Sequence, residues 1–323
     1  MNTILKPLCA MVSAVACVAG FSSAAEGWST DFNAGLATAA AEGRTVLVEF
    51  TGSDWCPPCM HVRGKILPTQ EFKNFAEKNK LVLVELDFPR DETKVAPEVR
   101  KEREAVSRRY GVDGFPTMAV LDGEGHLYAK IVGGAGSAAE YISRLEDGLK
   151  VKESFDAKMA AAQGLSGLER ANALAEALNA LPEECRELRT DVVEEIISCD
   201  PEDTTGFRKA VERKKLMMLQ IHEFRQALIR CSESVMPAPT SQPTKDKIAQ
   251  VVAATRTEAL KQLEREDLLP EVRQVVLGFI AESYLVEKNY AQAVEYLDKA
   301  SAAAPESDEV NQLHLLRDRL QKR

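Results

Sequence analysis

The segment 51-TGSDWCPPCMH-61 places Cys56 and Cys59 three positions apart, after a tryptophan and before a histidine. A cysteine attacks only as a thiolate, and an ordinary thiol with a pKa of ~8.5 is mostly protonated at neutral pH. A C-x-x-C pair at the start of a helix favours the thiolate, because free backbone N–H groups stabilise a negative sulfur there. Pro57 suits the first helical turn, where its missing N–H costs nothing. The pattern predicts Cys56 as the nucleophile and Cys59 as the resolving thiol of an exchange centre.

Two other uses of the cysteine pair stay open from these residues alone. The pair can form a purely structural disulfide, or it can hold copper or zinc together with His61. Zinc usually has four ligands, and the sequence contains no second C-x-x-C and no paired histidines. The sequence therefore favours redox chemistry with no metal and no cofactor. A copper or zinc chaperone and a non-catalytic interaction scaffold remain the alternatives.

Apolar strand patterns alternate with helical patterns around this segment. Their order is α-β-α-β-α-β-β-α, which predicts an α/β domain with a mixed central sheet flanked by helices. The turn 122-DGEGH-126 predicts that the last two strands form a hairpin. The charged helix around residues 98–109 is expected to present a solvated face. Predicted helices cover residues 31–44, a stretch through 65 that resumes at 69–79, 98–112 and 137–150, and predicted strands cover 46–51, 81–87, 117–122 and 127–133.

The order of these elements and motifs resembles the thioredoxin superfamily. The resemblance rests on an acid near the end of the first strand, on W-C-x-x-C and on the downstream 114-GFPT-117, and it covers about residues 27–150. The segment 51-TGSDWC-56 is most similar to a bacterial exported branch of thioredoxin-like proteins. The resemblance implies that Pro116 is a cis-proline beside the cysteines and that Thr117 opens the next strand. It thus predicts a thiol–disulfide oxidoreductase.

The resemblance also implies supporting roles for two residues, and this sequence departs from the family pattern at three places. It implies that Glu49 exchanges a proton with Cys59 and that Trp55 packs beside the site. One residue more than usual separates Glu49 from the first cysteine, so its reach to Cys59 is in question. Gly64 stands where many members have a proline, and residues 88–104 lengthen the gap before the proline.

Strand patterns stop after about residue 150, and the rest of the chain is helical in pattern. We predict a thioredoxin-like domain at 26–150 and an all-α helical-repeat domain at 151–323, with a Pro-rich spacer at 236–244. Residues 277–305 resemble a tetratricopeptide repeat, with a plain helical hairpin as the alternative. Helical arrays commonly bind proteins on a concave face, so this domain is predicted to bind a protein partner. The positions that carry the repeat resemblance are Leu277, Ile280, Ala281, Tyr284, Tyr290, Ala293, Leu297, Ala300 and Pro305.

The first 25 residues have the composition of a signal peptide. One lysine precedes the apolar run 8–21, and cleavage after Ala25 leaves small residues before the cut. A lipoprotein with Cys17 as the acylated residue is the less favoured alternative. We therefore predict a periplasmic or secreted protein. The sequence does not determine whether its remaining cysteines form disulfides with one another: Cys185, Cys199 and Cys231.

The formal net charge of −9 argues against nucleic-acid binding, because phosphate binding needs a basic face. The predicted partners are protein disulfides or dithiols and a membrane-bound electron donor or acceptor. The two prolines between the cysteines do not fix the direction of exchange, so reductase, oxidase and isomerase activities stay open.

Overall fold

The computed structural model describes residues 27–236 and 244–322. The predicted signal peptide with its cleavage site near Ala25, the alternative lipid site at Cys17 and most of the Pro-rich spacer lie outside the described residues. The chain divides into two compact units between Thr205 and Gly206. Within the described ranges, none of the helices combines the length and the apolar composition needed to span a bilayer.

A four-stranded mixed sheet is the centre of the first unit. Strand β1 (Val46–Thr51) pairs in parallel with β2 (Val82–Asp87) and antiparallel with β3 (Thr117–Leu121), and β3 pairs antiparallel with β4 (Leu127–Val132). The order β2-β1-β3-β4 puts β1 and β3 in the middle, where every one of their residues is buried. Continuous apolar runs are what a strand covered on both faces requires. The predicted mixed sheet and its terminal hairpin are confirmed.

Helices connect the strands and cover the sheet, in the predicted order. One difference concerns the charged helix α4 (Pro97–Arg109), in which Arg103 is buried rather than solvated. Its guanidinium donates a hydrogen bond to the Asp87 backbone oxygen at 2.7 Å, at the end of β2. The helices are α1 (Phe32–Glu42), α2 (Pro57–His61) with a following π-helical turn (Val62–Ile66), α3 (Gln70–Lys78), a 3₁₀ turn (Glu92–Lys94), α4 (Pro97–Arg109) and α5 (Ala138–Ala162).

Helix α5 continues through residue 150, where the sequence predicts a domain boundary. Its Phe155 packs edge-on against Tyr128 of β4, with ring centroids 5.6 Å apart, and the Arg189 guanidinium lies 4.5 Å from the Phe155 ring. These contacts tie residues beyond 150 to the sheet. The first unit therefore also contains α6 (Gly167–Asn179), α7 (Glu183–Arg186) and α8 (Thr190–Cys199).

The described part of the second unit is helical, as predicted for the C-terminal region. Ala281 and Ala293 are fully buried, which lets α11 (Pro270–Val286) and α12 (Tyr290–Ala303) approach closely. Gln274 donates hydrogen bonds to the backbone oxygens of Ala300 and Ala304, at the end of α12. The resemblance to a tetratricopeptide repeat stays a prediction. The helices are α9 (Phe207–Val235), α10 (Lys245–Gln262), α11 (Pro270–Val286), α12 (Tyr290–Ala303) and α13 (Val310–Leu320).

Candidate functional site

Cys56 and Cys59 form a disulfide at the start of α2, with Sγ atoms 2.09 Å apart and Cα atoms 5.2 Å apart. Cys56 is the N-cap residue, and its Sγ accepts a hydrogen bond from the Cys59 backbone N–H at 3.3 Å. Pro57 occupies the first helical turn, as predicted. The Cys56 side chain is 4% exposed and Cys59 is fully buried. The N–H that points at the Cys56 sulfur is suited to stabilising a thiolate there.

The loop before β3 has the geometry that the resemblance implies. The Phe115–Pro116 peptide bond is cis. The Pro116 backbone oxygen accepts a hydrogen bond from the Gly133 N–H at 2.8 Å, and the Thr117 hydroxyl donates to the Gly114 oxygen at 2.8 Å. These two bonds fix the entry into β3. Gly134, one residue further, lies against α2: a Cβ placed on it would be 3.8 Å from the Pro58 oxygen.

Trp55 packs in an aromatic cluster beside the disulfide. Its ring meets Phe115 edge-on at 5.7 Å, and Phe115 contacts Phe88 at 5.1 Å. The Trp55 Nε1–H donates to the Phe88 backbone oxygen at 2.7 Å. Gly52 is required for this placement, because a Cβ there would come within 2.6 Å of the Trp55 ring. The cluster joins the redox motif to the loop that follows β2.

The lengthened motif TGSD makes polar contacts with that same loop. Ser53 donates hydrogen bonds to the Asp87 carboxylate from its N–H at 2.8 Å and from its hydroxyl at 2.7 Å. The Asp54 carboxylate accepts from the Arg90 N–H at 2.8 Å and pairs with Lys94 at 3.0 Å. These bonds hold the pKa of Asp54 at about 2. Ser53 therefore anchors the end of β2, and Asp54 anchors the insertion that starts at residue 88.

Glu49 lies in the middle of β1 and is completely buried. Within the described ranges, neither of its carboxylate oxygens has a hydrogen-bond partner. Burial, reinforced by the neighbouring Glu85, raises the pKa of Glu49 to about 8, although Arg63 acts in the opposite direction. A carboxyl group in this state carries a proton at neutral pH. The predicted proton-exchanging role of Glu49 stays a prediction.

Three residues around Glu49 were not assigned a role from the sequence. Glu85 is its register partner on β2, Arg63 follows the redox helix, and Tyr141 faces it from α5. The pattern could have indicated Glu85, because both parallel strands carry a single interior acid in an apolar run, 46-VLVEFT-51 and 81-LVLVELD-87. The other two come from segments whose approach to Glu49 depends on the fold.

Other reactive side chains have simpler environments. Asp122, Glu124 and His126, in the β3–β4 turn, bring potential metal ligand atoms within 4.8 Å of one another. The Asp122 carboxylate is already used, because it accepts hydrogen bonds from the Glu124 and His126 N–H groups at 2.9 Å each. His61, the third ligand of the metal alternative, is exposed. The cysteines of open pairing are free thiols: Cys185, Cys199 and Cys231.

Known proteins match the N-terminal part of the chain. A family model described as a thioredoxin-like domain matches residues 32–149. Disulfide bond reductase DsbH of Chlamydia pneumoniae is 35% identical over 109 residues, which cover 34% of this chain and 64% of that protein. Thioredoxin-related protein DsbJ of the same organism is 29% identical over 97 residues, covering 30% of this chain and 27% of that protein.

A solved structure of a DsbH oxidoreductase aligns with a TM-score of 0.36 and 29% identity, over 43% of this chain and 95% of that chain. The chain spans less than two thirds of the length of either curated relative. The family match includes the cysteine pair and the sheet, and it ends before the helical second unit.

Proposed function

Because residues 32–149 belong to the thioredoxin superfamily, we propose that this protein is an exported thiol–disulfide oxidoreductase that acts on protein disulfides. The observation that carries the proposal is the Cys56–Cys59 disulfide at the start of α2, with the Cys59 N–H directed at the Cys56 sulfur. Cys56 is proposed as the nucleophile, because its sulfur accepts the Cys59 N–H and because it keeps a slight exposure of 4% where Cys59 has none, and Cys59 is proposed as the resolving thiol.

In the reducing direction the reduced protein begins with two thiols, and Cys56 first loses its proton to solvent to form a thiolate. The Cys56 thiolate attacks one sulfur of a substrate disulfide, so that a bond from Cys56 to the substrate forms and the substrate S–S bond breaks. The released substrate thiolate takes up a proton. Cys59 then loses its proton and attacks the Cys56 Sγ, which breaks the bond to the substrate and releases the second thiolate. The substrate gains two electrons and two protons, and the protein becomes the disulfide.

Glu49, when ionised in the reduced protein, is proposed to accept the proton of Cys59, to keep it in the disulfide form and to return it when the disulfide is reduced. A carboxyl with a pKa of about 8 is closely matched to a thiol of ~8.5, so a proton moves between them at little cost. Trp55, Pro116 and Thr117 shape the surface beside the disulfide against which substrate backbone is presented. These are supporting roles, taken from the resemblance and consistent with the contacts described above.

We further propose that the protein works as a reductase in the periplasm. The direction is supported by the similarity to DsbH, a disulfide bond reductase, and the location by the signal-peptide pattern of residues 1–25. A membrane-bound dithiol protein then supplies electrons to the Cys56–Cys59 disulfide. The helical second unit is proposed to bind a protein partner, and the disulfides of exported proteins are the substrate class.

Turnover of a protein disulfide tests the proposal. The parent protein should reduce the substrate when supplied with a dithiol, and Cys56→Ser should reduce it no faster than the uncatalysed reaction. Cys199→Ser is the matched control, because it removes a free thiol from the same unit and should leave turnover unchanged. Absence of turnover in the parent would favour a scaffold, and tight copper or zinc binding lost in Cys56→Ser would favour a chaperone.

Two further measurements fix the roles and the direction. Cys59→Ser should accumulate a mixed disulfide with the substrate through Cys56, because the resolving thiol is gone. A redox titration against glutathione should give a midpoint near the ~−270 mV typical of thioredoxin, whereas a midpoint near ~−120 mV is that of an oxidase. A mixed disulfide trapped in Cys56→Ser instead would reverse the assignment of the two cysteines.

A further inference from the structure

Two carboxyl groups share the buried centre of the sheet. Glu49 on β1 and Glu85 on β2 are register partners of a parallel pair, so their side chains leave the same face of the sheet from strands ~4.8 Å apart. The two residues are 0% and 1% exposed. Two acids this close and this deeply buried do not both ionise without a compensating cation.

Arg63 supplies a positive charge to one member of this pair. Its guanidinium lies 3.1 Å from Glu85 Oε1. Arg63 follows Cys59 by four residues, about one helical turn, so both residues lie on the side of the redox segment that faces the sheet. The ion pair therefore connects the segment that carries the disulfide to the strand beside Glu49.

The remaining charged and titratable groups around the pair come from three elements. Asp87 on β2 accepts two hydrogen bonds from Ser53, and its charge also acts on Glu49. Tyr141 of α5 is fully buried, and its pKa is raised by burial and by the charge of Glu49. Arg103 of α4 acts electrostatically on Glu85 and donates to the Asp87 backbone oxygen. Arg63 and Arg103 thus both make their direct contacts with β2, although the charge of Arg63 also lowers the pKa of Glu49.

Among the described residues, Glu49 has no counterpart of the ion pair that Glu85 makes with Arg63. Its two oxygens have no hydrogen-bond donor in the part of the chain that the structure describes, and the Tyr141 hydroxyl is likewise without a partner there. An ionised carboxylate buried without donors is strongly unfavourable, whereas a protonated carboxyl in the same place costs far less free energy. The asymmetry between the two acids follows from which of them the arginine contacts.

We propose that Arg63 is a positioning residue that holds Glu85 ionised and thereby leaves Glu49 as the member of the pair that keeps the proton. The inference rests on the proposed function for its purpose: the disulfide form would carry a single stored proton, at the carboxyl assigned to exchange it with Cys59. Without the arginine, the proton would be shared with Glu85, which belongs to the outer strand of the sheet.

The test compares both partners of the ion pair by pH titration of the oxidised protein. Infrared spectroscopy follows the protonated carboxyl band, which Glu49→Gln assigns by removing it. Arg63→Gln should raise the titration midpoint of the pair by about one pH unit or more, because a cation is lost. Glu85→Gln should lower the midpoint by a similar amount, because a neighbouring negative charge is lost and Arg63 remains. Arg63→Lys should titrate close to the parent.

Opposite shifts from the two ends of one salt bridge are what a purely structural role would not produce. Shifts in the same direction, or Arg63→Lys behaving like Arg63→Gln, would overturn the proposal. Arg170→Gln is the matched control, since it breaks an ion pair with Glu195 elsewhere in the same unit and should leave the midpoint unchanged. Glu85→Gln preserves the side-chain shape and Arg63→Lys preserves the positive charge, so the comparison survives if Arg63→Gln fails to fold.

The same variants are then assayed for disulfide turnover across pH. The limb of the profile that depends on proton transfer to Glu49 should move in the directions of the infrared midpoints. If the two variants show opposite infrared shifts but the parent protein shows no turnover, the proposed function is wrong and the charge arrangement stands. If the parent shows turnover but the variants do not shift in opposite directions, the charge arrangement is wrong and the proposed function stands.

Discussion

Two acidic side chains of the first unit show opposite environments for a carboxyl group. Asp122, just after β3, accepts hydrogen bonds from two backbone N–H groups and from the Tyr128 hydroxyl at 2.9 Å, and it lies 3.0 Å from His126 Nδ1. Glu49, in the middle of β1, accepts none from the described residues. Burial acts to raise the pKa of both, but the hydrogen bonds, from His126 above all, bring Asp122 to about 2, while Glu49 rises to about 8.

The difference teaches what each acid can do. A carboxylate surrounded by donors stays ionised at every physiological pH, so Asp122 holds a hairpin turn and exchanges no proton. A buried carboxyl without donors titrates near neutrality and can give or take a proton during a reaction. Burial alone therefore does not set the protonation state of an acid in this fold; the hydrogen-bond donors around it matter as much.

The sharpest test of this contrast is turnover. Glu49→Gln should slow the step in which Cys59 resolves the mixed disulfide by about 10²- to 10⁴-fold, the usual contribution of general acid–base catalysis. The Asp122→Asn variant should resolve the mixed disulfide at the parental rate, because the Asp122 carboxylate only accepts hydrogen bonds within the turn. Stopped-flow measurement of substrate release reads both. Equal slowing in the two variants would remove the functional distinction between the acids.

Loss of Asp122 should lower the free energy of unfolding more than loss of Glu49. Asp122→Ala leaves two N–H groups and the Tyr128 hydroxyl without their acceptor, and should lower the free energy of unfolding by about 2–4 kcal/mol. Glu49→Gln should cost little at pH 7, where the native carboxyl is already neutral. Urea unfolding monitored by fluorescence of Trp28 and Trp55, both in the first unit, gives the values. The exposed Glu124→Gln, in the same turn, is the control.

The smallest effect is a difference in pH dependence. The folded protein keeps a proton on Glu49 that the unfolded chain releases, so its contribution to stability declines as pH rises from 4.5 through about 8. Asp122 does the opposite: the unfolded chain binds the proton first, and stability is lost as pH falls from 3.8 towards about 2. Urea midpoints across pH should show the alkaline decline flattened in Glu49→Gln alone and the acid decline reduced in Asp122→Asn alone. A parental alkaline slope in Glu49→Gln would contradict the raised pKa.

Much of the first unit could be predicted because its information is local. Continuous apolar runs gave strands at the observed positions, and the W-C-x-x-C and Gly-Phe-Pro-Thr motifs located the site. The buried Arg103 was missed, since its helix is charged on every side and only the position of the β2 carbonyl makes burial favourable. The helical pattern after residue 150 was evident, but it did not predict that the first unit includes the helices up to Thr205.

The sequence by itself determined the redox pair, the helix that follows it and the single acid inside each of two apolar strands. Only the tertiary structure decided that these acids, 36 positions apart, are register partners and that Arg63 pairs with Glu85 rather than with Glu49. The physical reason is that a carboxyl's proton affinity depends on the charges and donors within a few ångströms. Strand order and register choose those neighbours, and no local pattern encodes them.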